Sequence, residues 1–181
     1  MDNRLIGAFR VVVVTALNFR PATTADAPAL VNIYNHYVTA STVTFDLDAW
    51  TIADMEHKIE SVAKLSMPFI VAEMGGDVVG YGYLSTWRDK CAYETTMENT
   101  LYLREDSRGR GIGRSLLDEI VRLGAESGVR EIIAVISDSD DAIPSIRLHE
   151  KAGFARVGEM ANVGRKFDEW LGVVMLQKSL V

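Results

Sequence analysis

The spacing of apolar positions changes repeatedly along this chain, and the order of the changes predicts a mixed sheet with helices on both faces. Short apolar runs typical of strands are separated by stretches in which apolar residues recur every three or four positions, as in helices. Strands are predicted at 17–20, 69–74, 78–84, 97–103, 131–137, 155–160 and 172–177. Helices are predicted after Thr23, over 52–65, after the glycines at 109–113 and over 145–151. Two helices between early strands, followed by a strand–helix–strand–helix–strand unit, indicate the α/β class.

Local signals mark the ends of several of these elements. Pro21 helps to end the first strand, and Thr23-x-x-Asp26 resembles a capping box at the start of the first helix. Gly75-Gly76-Asp77 separates two apolar runs and predicts a hairpin, and Gly153 is expected to end the last helix.

The first sixteen residues are predicted to form an extension before a single domain over residues 17–181. The stretch 4–18 is apolar and β-branched, but Arg10 interrupts it and no clear small-residue cleavage site follows. It therefore fails as a signal peptide. An added strand and an upstream start that contributes little both stay open. The second is favoured because the domain-like pattern begins only at Leu17.

Composition excludes several classes of protein. The 181 residues suit one domain, with 48% hydrophobic and 24% charged residues and a net charge of −6. This acidic balance argues against a general nucleic-acid binder, and the lack of an 18-residue apolar run argues against a membrane span. The single cysteine, Cys91, excludes an internal disulfide framework, and the three histidines lack metal-ligand spacing, so no metal is predicted. We expect a cytoplasmic protein.

A turn rich in glycine and arginine is the first chemical signal. The segment 101–113 reads LYLREDSRGRGIG and lies between a predicted strand and a predicted helix. Glycines let successive backbone N–H groups approach an anion, and the helix N-terminus adds the positive end of its dipole. The turn is neither a P-loop nor the dinucleotide pattern. It predicts a phosphorylated ligand, and a glycine-rich turn with solvated arginines is the alternative.

The spacing Arg108-x-x-Gly111-x-Gly113 resembles the acyl-CoA signature of the GNAT N-acetyltransferase superfamily, and the order of elements matches that fold from about Leu17 to Gln177. The resemblance implies a twisted central mixed sheet with helices on both faces, and acetyl-CoA as co-substrate. The backbone of Thr100, Leu101 and Tyr102 would pair with pantetheine where two strands splay. The residues whose N–H groups would hold the pyrophosphate are Arg108, Gly109, Arg110, Gly111, Ile112 and Gly113.

Further stretches resemble the phosphinothricin and methionine sulfoximine acetyltransferases of that superfamily. They are 33–37, 41–45, 87–93, 96–102, 147–154 and 163–170. The resemblance implies direct acetyl transfer to a small amine and a homodimer, whose interface the final strands and Trp170 could form. It also implies that Arg88 and Lys90 bind the anionic end of the substrate, for which arginine is well suited, although a solvated loop stays open. The expected aromatic pocket residues are Phe45, Trp87 and Tyr93.

Two residues are candidates for proton transfer. Glu98 lies in an otherwise apolar strand, where a carboxylate is unfavourable unless it is exposed or paired. It would serve as general base, through a water, if burial raised its pKa; a cross-strand ion pair is the alternative. His149 stands where the resemblance implies a general acid toward the CoA thiolate, and a helix histidine capped by Glu150 or solvent is the alternative.

One departure from the family concerns a CoA contact. The family commonly has an asparagine three residues before the serine that begins the last functional helix. Here Ala142 has that spacing from Ser145, or Asp141 with a shift of one residue. This contact stays open.

Two other functions also fit the sequence: acetylation of a protein N-terminus, and a non-catalytic acyl-CoA sensor. The presence of both Glu98 and His149 argues against the sensor, because a pure binder needs neither.

Overall fold

A computed structural model of the chain describes residues 16–181, which form a seven-stranded mixed sheet flanked by four helices. The strands are β1 (Leu17–Pro21), β2 (Phe69–Met74), β3 (Asp77–Thr86), β4 (Thr96–Leu103), β5 (Glu131–Ser137), β6 (Ala155–Lys166) and β7 (Glu169–Ser179). The helices are α1 (Ala27–Ala40), α2 (Ile52–Lys64), α3 (Ile112–Glu126) and α4 (Ile143–Lys151). The predicted α/β class is confirmed. The expected extension over 1–16 lies outside the described residues, except for its last residue.

The strands lie in the order β1-β2-β3-β4-β5-β7-β6, and β4 and β5 are the parallel pair. Their register extends over three residue pairs, from Thr96 opposite Glu131 to Glu98 opposite Ile133. Beyond this point β4 continues to Leu103 and β5 continues to Ser137, while β4 stays paired with β3 on its other side. The two strands therefore separate and leave one edge of β4 open.

Two apolar layers cover the sheet. On one face, α1 and α2 bury residues such as Leu30 and Met55 against Tyr81 of β3. On the other face, α3 and α4 contribute to the core that contains Leu116 and Ile132. The predicted helices on both faces are thus confirmed, because each layer removes one amphipathic helix face from water. Within residues 16–181, no helix is both long and apolar enough to cross a membrane.

Several predicted element ends are confirmed by local geometry. Asp26 Oδ2 accepts a hydrogen bond from the backbone N–H of Thr23 at 2.8 Å, which completes the capping box. Gly76 lies in the β2–β3 turn with a φ of +89°, and Gly153 follows α4 with a φ of +86°. Both values favour glycine, since other residues are strained in this region.

The β6–β7 hairpin is longer than its sequence pattern predicts. β6 continues past Met160 to Lys166, and its register with β7 shifts between Met160 and Gly164. Most of its residues are exposed on both faces, so no alternation of apolar and polar positions marks the strand. The turn itself carries Phe167 and Asp168 at φ values of +48° and +63°. Neither residue is a glycine, so the sequence lacks the glycine signal that predicts a hairpin turn.

Candidate active site

The opening between β4 and β5 leads into a cavity of about 770 Å³. β4 from Glu98 to Leu103 forms one wall, and β5 from Ala134 to Ser137 forms the opposite wall. The glycine-rich turn and α4 complete the lining. The volume suits a small organic ligand. The open edge of β4 presents backbone N–H and C=O groups, so an extended ligand with amide groups can add to it as a further strand would.

The glycine-rich turn forms the end of the cavity that suits an anion. Gly109 and Gly111 have φ values of +72° and +81°, a region that side-chain-bearing residues rarely adopt. A Cβ at Gly113 would lie only 3.2 Å from Leu103 Cδ1, so this position is tight as well. α3 begins immediately after Gly111. The first N–H groups of a helix lack partners within it and lie at the positive end of its dipole, so this end of the cavity favours phosphate groups.

Four arginines lie in the glycine-rich turn and at the start of α3, and they are not equivalent. Arg104 and Arg114 are each paired with a nearby aspartate, Asp106 and Asp118, at 2.7 Å. The other two form no ion pair with a described residue: Arg108 and Arg110. Arg108 lines the cavity, whereas Arg110 does not. Arg114 lines the cavity as well, so Arg108 is the cavity-lining arginine of this group that pairs with no described carboxylate.

Tyr37 of α1 holds the Arg108 side chain. Arg108 Nε donates to the Tyr37 hydroxyl at 3.1 Å, and the guanidinium carbon lies 4.9 Å from the centre of the Tyr37 ring. The hydroxyl in turn donates to the backbone carbonyl of Leu103. Arg108 is thereby held beside the open end of β4. This contact joins residues 71 positions apart, so the local sequence pattern does not predict it.

Glu98 lies where β4 and β5 stop pairing, and it lines the cavity. Burial raises the pKa of its carboxyl group, and the positive charges of Lys58 and Arg88 oppose that rise. None of the described residues forms an ion pair with it, so the alternative of a cross-strand ion pair is not supported. A carboxylate with a raised pKa at the inner end of a cavity is a better proton acceptor near neutral pH than an ordinary glutamate.

His149 of α4 also lines the cavity, and it is 3% exposed. Its Nε2 lies 2.8 Å from Asn99 Nδ2, and its Nδ1 lies 2.8 Å from the carbonyl oxygen of Ser145. Burial lowers its pKa, against the opposing effect of the Ser145 carbonyl. The alternatives of a contact with Glu150 or with solvent do not describe this environment. The general-acid role stays a prediction.

Phe45 lines the cavity from the segment between α1 and α2, and its role in binding the substrate stays a prediction. Its ring packs against Gly164 of β6 so closely that a Cβ there would overlap it. Beside it, Lys166 is 3% exposed and its Nζ donates to the carbonyl oxygen of Thr44 at 2.9 Å. The β6–β7 hairpin therefore fixes the segment that carries Phe45.

The same segment is fixed from α1 as well. Asp46 Oδ2 accepts hydrogen bonds from the Tyr34 hydroxyl at 2.7 Å and from Trp50 Nε1 at 2.6 Å. Because the single Tyr34 proton is given to this carboxylate, the Thr44 hydroxyl, 2.9 Å away, is the donor to the Tyr34 oxygen. Thr44 and Phe45 are thus held between a helix and a hairpin.

Replacing Lys166 with methionine tests this arrangement. The change removes the donor to Thr44 but keeps an apolar stem of similar length, and an unpaired buried carbonyl costs about 1–3 kcal/mol. We expect the KM for the amine substrate to rise about tenfold, while the KM for acetyl-CoA stays constant, as measured by initial rates. Lys64→Met, on an exposed position of α2, is the control. An unchanged amine KM would show that Lys166 does not position Phe45.

The loop after β3 contributes less to the cavity than expected. Four residues of this loop that were expected to bind the substrate do not line the cavity: Trp87, Arg88, Lys90 and Tyr93. Arg88 is exposed, and its guanidinium carbon lies 4.8 Å from the centre of the Trp87 ring. It lies near enough to lower the pKa of Glu98, so the loop is on the Glu98 side of the cavity. The predicted role of these four residues in binding substrate remains a prediction.

Two further sequence questions concern the CoA contact and metal binding. Both Asp141 and Ala142 line the cavity, and Asp141 Oδ2 lies 3.5 Å from Thr42 Oγ1. Either residue can occupy the place of the usual asparagine, but only Asp141 brings a polar side chain. Among residues 16–181, no group of three or more histidine, cysteine, aspartate or glutamate residues is arranged to hold a metal ion.

Sequence reasoning missed three residues near the cavity: Asn99, Tyr37 and Lys58. Asn99 shares the strand face of Met97 and Leu101, so a polar residue on an apolar face was the available signal. Lys58 of α2 lies with its Nζ 5.5 Å from the centre of the Tyr83 ring and lowers the pKa of Glu98. Its helix position alone indicates only a solvated face.

Known proteins are similar to this chain over most of its length. The family model described as "Acetyltransferase (GNAT) domain" matches residues 19–175. The chain is 33% identical over 155 residues to a phosphinothricin N-acetyltransferase of Alcaligenes faecalis, covering 86% of this chain and 78% of that protein. It is 32% identical over 164 residues to an L-methionine sulfoximine/L-methionine sulfone acetyltransferase of Pseudomonas paraeruginosa, covering 90% of this chain and 94% of that protein.

A solved structure is similar to this chain in both fold and sequence. The crystal structure of a GNAT superfamily phosphinothricin acetyltransferase from Sinorhizobium meliloti in complex with acetyl-CoA matches with a TM-score of 0.86 and 33% identity. The match covers 91% of this chain and 88% of that one.

Proposed function

We propose that this chain, which belongs to the GNAT acetyltransferase family, transfers acetyl from acetyl-CoA to the primary amine of a small amino-acid analogue. The family and the acyltransferase class expected from the sequence are confirmed by the family match and by the named relatives. The substrate class is the proposed step. Acetyl transfer itself is supported chiefly by the cleft, which has an anion-binding turn at one end and a half-buried carboxylate, Glu98, at the other.

The cleft residues fit acetyl-CoA. The glycines of the turn and the start of α3 suit the pyrophosphate, and the open edge of β4 from Thr100 to Tyr102 suits the amide groups of pantetheine. In that orientation the thioester lies toward the inner end of the cleft. A GNAT relative solved with acetyl-CoA supports the same co-substrate.

Glu98 is the proposed general base. The substrate ammonium gives a proton to the Glu98 carboxylate, directly or through one water. The free amine then attacks the thioester carbonyl carbon, a C–N bond forms, and the C–S bond breaks with release of the CoA thiolate. The attacking nitrogen loses its second proton in this step, and the thiolate takes up one proton to become the thiol. Holding both substrates in one cleft supplies the proximity that this direct route needs, and no acetyl-enzyme is required.

The amine substrate is expected to enter beside Phe45 and Glu98. The relatives named for phosphinothricin and for methionine sulfoximine and sulfone suggest an amino acid with a polar or anionic side chain. Arg88 and Lys90 are the proposed partners of its anionic end. Both side chains are exposed, so they can bind the substrate only if the loop that carries them closes over it.

We also propose that the enzyme is a cytoplasmic homodimer formed through the β6–β7 hairpin. Apolar side chains stand exposed along it, and Trp170 is 66% exposed. Exposed apolar patches of this kind mark association surfaces. The other residues of the patch are Val157, Met160, Val163 and Phe167. Sedimentation equilibrium of the purified protein tests this step, and a monomer at micromolar concentration would contradict it.

Turnover against a panel of amines tests the proposed substrate class. Release of the CoA thiol is measured with methionine sulfoximine, phosphinothricin, methionine sulfone and a set of peptides with free N-termini. We expect rapid release with the first three and none above background with peptides. Release only with peptides would instead assign acetylation of protein N-termini. An acetyl-CoA complex without release from any amine would favour the sensor.

A further inference from the structure

Asn99 and His149 form a buried polar contact at the point where the sheet opens. Asn99 is the first residue of β4 beyond the last pair with β5, Glu98 opposite Ile133. Its Nδ2 lies 2.8 Å from Nε2 of His149 on α4, and the two residues are 7% and 3% exposed. A side-chain hydrogen bond therefore joins β4 to α4 at the place where backbone pairing between β4 and β5 ends.

The surroundings of His149 fix the position of its proton. Its Nδ1 lies 2.8 Å from the carbonyl oxygen of Ser145, and a carbonyl only accepts hydrogen bonds, so Nδ1 carries the proton. Burial lowers the pKa of the ring, which favours the neutral form, and the Phe154 ring lies nearly perpendicular to it with the ring centres 5.0 Å apart. In the neutral ring, Nε2 then has a free lone pair and accepts from Asn99.

This arrangement also fixes the orientation of the Asn99 amide. Since Nε2 accepts, the Asn99 nitrogen must face it, and the oxygen faces away. That oxygen, Oδ1, is buried and has no hydrogen-bond partner among the described residues. A buried polar atom left unpaired is unfavourable, so the amide is held by the bond to His149 and not by its own complete set of partners.

We propose that Asn99 is a positioning residue for the acetyl-CoA cleft, which acts through His149 to hold α4 at a set distance from the open edge of β4. This inference rests on the proposed function, because it concerns the cleft in which acetyl-CoA is expected to bind. α4 supplies Ser145, Leu148 and His149 to the lining, so a shift of this helix changes the width of the cleft.

The same geometry gives His149 a different role from the one expected of a general acid. An acid must hold its proton at the atom that faces the leaving group. The ring proton here is directed at Ser145, and Nε2 is directed at Asn99. His149 is thus a hydrogen-bond acceptor in the resting enzyme, and it contributes to catalysis by position.

Nuclear magnetic resonance of the imidazole nitrogens tests the proton placement without any turnover. Protein labelled with ¹⁵N-histidine shows three rings, and His149→Gln identifies the His149 signals, while the exposed His36 and His57 serve as references. We expect His149 to be neutral with its proton on Nδ1 at pH 7. In Asn99→Asp, the new carboxylate should accept from Nε2 and give a ring protonated on both nitrogens. A proton on Nε2 in the native protein would overturn the proposal.

Binding and rate measurements test the positioning role. We expect Asn99→Leu to raise the Kd for free CoA and the KM for acetyl-CoA about tenfold, and to change kcat by less than about threefold. Asn18→Leu, at an exposed position of β1, is the matched control. Loss of kcat at unchanged acetyl-CoA KM in both Asn99→Leu and His149→Gln would instead assign proton donation to His149.

A failure of the positioning role can be told apart from a failure of the proposed function and from a failure to fold. The Kd for free CoA is measured by calorimetry and needs no amine, so a failure of the proposed substrate class does not affect it. If Asn99→Leu does not fold, Asn99→Ser replaces it. The serine hydroxyl can donate to Nε2 but lies farther from it, because the side chain is shorter. Asn99→Ser should therefore weaken CoA binding by a smaller factor. An unchanged Kd in a folded variant overturns the positioning role.

Discussion

Replacing Glu98 with glutamine is expected to lower kcat roughly 100- to 10,000-fold, the range over which general acid–base catalysis contributes. Glutamine keeps the size and hydrogen-bonding capacity of the side chain but cannot accept the ammonium proton. The Kd for acetyl-CoA should not change, because the glycine turn and the open edge of β4 remain intact. Initial rates of thiol release and calorimetry with acetyl-CoA measure the two quantities.

The pH profile gives this prediction a second readout. Glu98 acts as a base only when it is ionised, so kcat/KM should rise with pH through its pKa and level off above it. Burial raises that pKa, so the rising part of the profile should lie above the ordinary range for glutamate. Lys58→Met should move the rising part of the profile to higher pH, because the positive charge of Lys58 lowers the pKa of Glu98.

A matched control separates chemistry from a general effect of lost charge. Glu94→Gln removes a carboxylate at an exposed position four residues before Glu98. It should leave both kcat and the pH profile unchanged. Full turnover in Glu98→Gln, or a rising limb that survives the substitution, would remove Glu98 from the mechanism.

Replacing Gly111 with alanine is expected to raise the Kd for acetyl-CoA about 10- to 100-fold. Gly111 has a φ of +81°, and a side chain there is strained although open space surrounds it. The backbone can relieve this strain, worth about 1–2 kcal/mol, by rotating. Such rotation moves the N–H groups at the start of α3 away from the direction in which they would meet a pyrophosphate.

Gly76→Ala is the control for Gly111→Ala. Gly76 has a φ of +89° and is likewise surrounded by open space, but it lies in the β2–β3 turn, outside the cavity lining. Both variants should lose a similar free energy of unfolding, measured by urea denaturation. Only Gly111→Ala should lose acetyl-CoA affinity. Equal affinity in the two variants would show that the turn does not hold the pyrophosphate.

Much of the fold could be predicted because its signals are local. Periodic apolar positions predict α1 to α4, Pro21 marks the end of β1, and Gly153 marks the end of α4. β6 beyond Met160 could not be predicted, because its pairing with β7 and not its own apolar pattern makes it a strand. Tertiary contacts of this kind leave no mark on a local stretch of sequence.

The candidate site divides in the same way. Glu98 and the glycines were found because a carboxylate in an apolar strand and a glycine turn before a helix are local signals. The contacts of Asn99 with His149, and of Lys166 with Thr44, join residues 50 and 122 positions apart. Which atoms meet across such distances depends on the packing of whole elements, so these positioning roles required the structure.

One assay tests the central claim most directly: release of CoA thiol from acetyl-CoA by the purified protein, with and without methionine sulfoximine, alongside mass analysis of the amine. Direct transfer predicts thiol release that depends on the amine, with an equal amount of N-acetylated product. Acetyl-CoA binding without release from this or any other amine of the panel would contradict catalysis by this cleft.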